Sequence, residues 1–186
     1  SEVSDVSGTI VFDWEDACDG WAVSYRMDMT FLYQTGTEVA FGMNVASWES
    51  KDGKRYRFFV KRLQGDQVTD EYRGDAELSA PGGPGTAHYS LPEEKTLELP
   101  AGTLFPTAHS LRVLEMMARG DKFFWASFFD GSDGNGALGV NARFLEAPRG
   151  FELLGGNALV AAVRCRQQAA LLIHDRDLPR VELRNT

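Results

Sequence analysis

The chain has 186 residues, 43% of them hydrophobic, with 12 Phe, 5 Tyr and 4 Trp, which suits one domain with a sizeable core. Its 27 acidic side chains outnumber 19 basic ones, for a formal charge of −8; that balance argues against a nucleic-acid partner and against docking on an anionic bilayer by charge alone. No apolar run reaches the roughly 18 residues of a membrane span. The opening residues Ser1, Glu2 and Asp5 do not read as a secretory leader, which leaves open a cytosolic protein and a mature exported one; a start without Met so close to a strand pattern reads as trimmed.

Residues 9–16 alternate, with Ile10, Phe12 and Trp14 on one face and Asp13 and Glu15 on the other. The turn Asp16-Ala17-Cys18-Asp19-Gly20 follows. From Trp21 to Tyr33 every second residue is large and apolar (Trp21, Val23, Tyr25, Met27, Met29, Phe31, Tyr33), so a single long strand with one greasy face is predicted. Residues 38–50 alternate again through Val39, Phe41, Met43 and Val45, and Asp52-Gly53 is a hairpin signal. Residues 55–63 return through Tyr56, Phe58 and Val60, and Gly65-Asp66 turns the chain. Residues 67–78 are more polar and read as an exposed or edge strand.

Pro81-Gly82-Gly83-Pro84-Gly85 is a loop on composition, and 87–91 with 95–99 form another short hairpin. A helix is predicted over about 107–119, capped by Thr107 or Ser110, stopped by Gly120, with Leu111, Leu114, Met117 and Ala118 as its apolar stripe. Residues 122–129 and 137–145 read as strands around a Gly/Asp turn at 130–136. Short sequential connections favour an antiparallel sheet. Residues 1–150 thus form one β-sheet domain. Residues 151–186 lose the alternation and read as an atypical tail, helical or disordered.

Candidates for chemistry are sparse. His88, His109 and His174 have no partners at metal-ligand spacing, so neither metal nor cofactor is expected. Ser132 lies in Asp130-Gly131-Ser132-Asp133-Gly134, but a nucleophile elbow needs a strand before it and a helix after it. Asp16 with Asp19, or Glu93 with Glu94, sit on turns without a pocket to perturb them. The aromatic faces are mostly core, yet one helix cannot cover so wide a sheet, which leaves an apolar groove on the concave face as the best basis for a ligand. Cys18 and Cys165 either bridge or are unrelated thiols; a bridge would contribute roughly 4–5 kcal/mol in the chain-entropy model.

Four blocks occur in order: Ser7-Gly8-Thr9, Asp16-Ala17-Cys18-Asp19-Gly20-Trp21, Leu99-Pro100-Ala101-Gly102-Thr103-Leu104-Phe105-Pro106-Thr107-Ala108-His109, and Phe129-Asp130-Gly131-Ser132. Together they resemble the EipB family of envelope-integrity proteins from the alphaproteobacterial periplasm, with Asp19, Gly20, Trp21, Phe105, Pro106, His109, Asp130 and Gly131 as the motif residues. The resemblance implies a mainly β fold, a large curved antiparallel sheet (spiral or half-barrel) packed on one α-helix and similar in shape to LolA and LolB, with the strand from Trp21 at its centre. It implies periplasmic residence, a part in envelope integrity and no enzymatic activity. It also implies a disulfide from Cys18 to a cysteine near the C-terminus. Cys165 is that partner or the partner is absent from this chain; the lost strand pattern around Cys165 favours absence. The expected function is binding of an envelope protein partner or of a lipid or other apolar ligand on the curved sheet. A lipoprotein or lipid carrier of the LolA/LolB type is the alternative, and a hydrolase the remote one.

Overall fold

The computed structural model describes residues 2–143; the expectations for the 151–186 tail, Cys165 and His174 lie outside them. Seven strands run β1 (Val3–Asp16), β2 (Gly20–Tyr33), β3 (Glu38–Ser50), β4 (Arg55–Gln64), β5 (Gln67–Leu78), β6 (Gly85–Leu91) and β7 (Lys95–Leu99), each paired antiparallel with the next in chain order. Among the described residues the curved sheet is not closed: β1 and β7 are not paired. A short β8 (Thr103–Leu104) leads into helix α1 (Pro106–Ala118), then β9 (Phe123–Phe128) and β10 (Leu138–Arg143), and these last strands form a second sheet in the order β10-β9-β8. β8, too short to show a period, is parallel to β9 and was not legible in the sequence.

The alternation of each strand carries across the ladder in rows. Trp14 faces Val23, then Ser47, then Phe58. One row on, Phe12 faces Tyr25, Val45 and Val60. Next come Ile10, Met27, Met43 and Arg62. These rows line one face because side chains on a strand alternate sides.

Where β4 to β7 carry this face it is sealed. Tyr56, Phe58, Ala76, Leu78, Ala87, Tyr89 and Leu99 pack with Phe105 and Phe129 from outside the sheet. Tyr56 stacks on Phe105, and Phe129 meets Tyr56, Phe58 and Tyr89 edge-on. Burying each large ring is worth roughly 1.5–3 kcal/mol, so this cluster dominates the stability of the fold.

Several expectations need correction. Among the described residues β2 is second from the edge, not central, because the strands follow chain order and β1 is the outermost of them. β5 is neither an edge nor exposed throughout: it lies between β4 and β6, and its polar residues alternate with buried Ala76 and Leu78. The predicted aromatic core holds for Tyr56 and Phe58. It does not hold for half-buried Trp21, Tyr25, Phe31, Tyr33 and Phe41, because nothing among the described residues covers the β1–β3 half as Phe105 and Phe129 cover the other. The first strand begins at Val3, earlier than its pattern suggests, since Val3 pairs with Tyr33 at the far end of β2.

Candidate ligand cleft on the concave face

The seal over β4–β7 is completed by the turn at 130–136. Its carbonyl oxygens accept from four side chains on the sheet. Tyr56 Oη donates to Asp130 O (3.2 Å), Arg62 Nη2 to Ser132 O (2.8 Å), Tyr89 Oη to Asp133 O (2.6 Å) and Lys95 Nζ to Gly134 O (2.7 Å). Burial pushes the hydroxyl of Tyr56 far above the ordinary phenol range, and that of Tyr89 upward as well, so both remain donors. Tyr89→Phe leaves the Asp133 carbonyl without this donor and should cost about 1–2 kcal/mol, measured as a lower urea midpoint with an unchanged m-value.

Helix α1 closes the neighbouring end. Its first turn carries no acidic residue, and its N-cap Phe105 has no capping side chain. Neither Thr107 nor Ser110 caps it: Thr107 is inside the helix and buried, and the Ser110 hydroxyl donates back to Pro106 O. The acceptor comes from β3 instead. Glu49, 2% exposed, takes the N–H of Thr107 on Oε2 (2.6 Å) and that of Ala108 on Oε1 (2.8 Å). Pro106 has no N–H, so Glu49 satisfies the next two of the N–H groups that a helix start leaves open. The predicted apolar stripe is not the packed face: Leu111 and Leu114 are exposed, because α1 is anchored through its first turn and through His109, which packs on Phe124 and Phe128.

Between these two closures and strands β1 to β4 lies a cleft of about 180 Å³. Phe12, Trp14, Val23, Tyr25, Met43, Val45 and Val60 form its wall, and Pro106, Thr107, Ser110, Phe128, Asp130 and Ser132 form its roof. Organic ligand pockets typically measure roughly 300–1,000 Å³, so the enclosed part of this cleft suits a slender group. Tyr25 Oη bonds Met43 Sδ, and the buried indole N–H of Trp14 has no acceptor among the described residues. The wall continues past Val60 onto the open rows of Ile10, Met27 and Met43.

Of the chemistry candidates, Ser132 donates its backbone N–H to the Asp130 carboxylate (2.9 Å), the bond of an Asx turn. His88 contacts Thr96 (3.3 Å) on the far side of β6. No group of three or more His, Cys, Asp or Glu converges as a metal site among the described residues, and no described helix is long and apolar enough to cross a membrane.

A family model described as EipB-like matches residues 1–149. The chain belongs to the EipB-like family. It is 32% identical over 138 residues to the cell envelope integrity protein EipB of Brucella abortus (strain 2308), an alignment that covers 72% of this chain and 47% of that protein. The chain therefore spans about half the length of this curated relative. Its fold is similar to the crystal structure of a beta-barrel-like protein of a domain of unknown function from Brucella abortus, with a TM-score of 0.66 and 27% sequence identity, covering 75% of this chain and 58% of that one.

Of the residues that carry the family resemblance, Pro106 and Asp130 line the cleft; the others have separate surroundings. Gly20 lies under Trp48, whose ring a Cβ there would meet at 2.3 Å. Trp21 packs edge-on against Trp14 and carries the Lys51 ammonium 3.2 Å above its ring. The Asp19 carbonyl accepts Lys51 N–H (3.0 Å). Phe105 is fully buried on Tyr56, Pro106 opens α1, and Asp130 with Gly131 begins the sealing turn. Cys18 stands in the β1–β2 turn at φ 70°, its N–H bound to the Asp16 carboxylate (2.9 Å). Sequence reasoning missed Glu49 and the four donors to the 130–136 turn.

Proposed function

We propose that this protein acts in the periplasm as a non-enzymatic support of the cell envelope, holding an apolar ligand in the cleft between β1–β4 and α1. The observation that carries this reading is the division of one sheet face into a sealed half and an open apolar half that meet at a formed cleft. Membership of the EipB-like family supports the envelope setting. A lipid carrier of the LolA/LolB type is the second reading: α1 does not fill the cleft with Leu111 and Leu114, which are exposed, as loading and release require.

Purification from a bacterial periplasm followed by native mass spectrometry and solvent extraction tests the reading. A bound lipid is expected in the wild type. Val23→Trp, which fills the cleft wall, should lose it while keeping the far-UV spectrum. No retained lipid in either protein, or equal retention in both, contradicts it.

We further propose that Cys18 is held in a disulfide, with Cys165 as the one other cysteine of the sequence. The absence of a free cysteine among the described residues supports this. Iodoacetamide should label the unfolded protein only after reduction; labelling of unreduced protein contradicts the bridge.

A further inference from the structure

The cleft has one cationic edge. Arg62 is the next residue after Val60 on the inner face of β4, opposite Met43, where the cleft opens onto the exposed apolar rows. Its side chain is half-buried. It reaches to the roof and donates one hydrogen bond, Nη2 to Ser132 O (2.8 Å), and it lies over the Tyr72 ring at 5.9 Å. A guanidinium has five N–H donors, and among the described residues Arg62 forms no ion pair within 4.0 Å. Its cross-strand neighbour Asp70 does not come that close. Asp130 is the nearby acid of the roof: it and Arg62 act on Tyr25 in opposite directions. One oxygen of Asp130 is already taken by the Ser132 N–H.

An arginine left without a carboxylate at the rim of an apolar cleft is costly to desolvate unless an anion meets it. We propose that the ligand of this cleft is an acyl amphiphile with an anionic head, and that Arg62 anchors the head while the tail runs along Val60, Tyr25 and Val23 toward Trp14. Charge complementarity selects this occupant: a neutral apolar molecule leaves Arg62 without an anion, and a planar fork of donors fits a carboxylate or a phosphate in two parallel bonds. This inference rests on the apolar-ligand reading above and adds the head group to it.

Binding of oleate, oleoyl lysophosphatidate and neutral monoolein to the delipidated full chain, followed by tryptophan fluorescence, tests it. The wild type should bind at least one of the two anions roughly tenfold more tightly than monoolein, a gain typical of a charge-assisted pair. Arg62→Gln should bring anion and monoolein to similar affinities, and Arg62→Lys should keep part of the preference. An unchanged affinity for monoolein in Arg62→Gln shows that the cleft is intact in that variant. Preference for the carboxylate or for the phosphate supports the proposal and assigns the head group. Equal binding of anions and monoolein by the wild type overturns the Arg62 anchor while the cleft reading stands. Binding of none of the three overturns both.

Discussion

Gly131→Ala should destabilise the protein by about 2–4 kcal/mol, among the largest effects of any single methyl group added to this chain. Gly131 has φ 69°, a conformation that costs a residue with a Cβ roughly 1 kcal/mol or more. The added methyl would also lie 2.4 Å from the Phe58 ring. Phe58 cannot yield, because it is wedged among Tyr56, Tyr89 and Phe129. The turn would lift, and the bonds from Tyr56, Tyr89 and Arg62 to its carbonyls would loosen together. A urea titration checks this: a midpoint within error of the wild type would contradict the placement of the turn. Gly65→Ala is the control, because its φ of 59° is similar but nothing lies within 4 Å of the added Cβ. It should cost only the backbone part, about 1 kcal/mol.

The second large effect concerns Glu49. Burial pushes its carboxyl up to about 7, against the pull of the Thr107 and Ala108 N–H groups. The folded state therefore holds a proton that the unfolded state releases near the ordinary value of 4.5. A raised folded pKa gives stability that is complete below pH 4.5 and is lost as pH climbs through 7. The full span is about 3 kcal/mol, since each tenfold difference in proton affinity between the two states is worth roughly 1.4 kcal/mol. His109 works against this in the same window. Burial lowers its pKa, so its contribution grows as pH rises through the ordinary His range. Glu49→Gln separates the two, since it removes one titration and leaves His109 unchanged. The melting temperature of the wild type should fall relative to that of Glu49→Gln between pH 5 and pH 8. Parallel curves would show that Glu49 does not titrate there. Glu49→Ala, which leaves two helix N–H groups without acceptors in a buried site, should cost about 2–5 kcal/mol at any pH in that range.

The long strands were legible because their faces differ. Trp21 to Tyr33 announces β2, and Asp52-Gly53 marks the next hairpin, since Gly53 at φ 66° sits where only that kind of turn residue is comfortable. The neighbouring β5 misled for a physical reason. Its inner face needs small residues: a Cβ on Gly74 would sit 2.2 Å from the His88 carbonyl and 2.7 Å from the Phe58 ring. A strand that sets half-buried Gly74 and buried Ala76 against its neighbours' aromatics carries little hydrophobic signal there. The helix cap failed in another way. Glu49 is 58 residues from Thr107, and no local pattern announces a cap supplied from another element. The 130–136 turn looked like plain punctuation because its role lies in backbone carbonyls, which every sequence has. Of the family blocks, Pro106 and Asp130 line the cleft and Phe105 belongs to the buried aromatic cluster beside it, whereas Gly20 packs under Trp48 on the other face of the sheet.

Quenching of tryptophan emission by dibromostearate tests the central claim most directly, since bromine quenches only at close contact. Trp14 lines the cleft, whereas Trp125 is 56% exposed on β9. The wild type should show saturable quenching that Trp14→Phe largely removes and Trp125→Phe does not. Quenching that never saturates, or that Trp14→Phe leaves unchanged, would contradict a ligand seated between β1–β4 and α1.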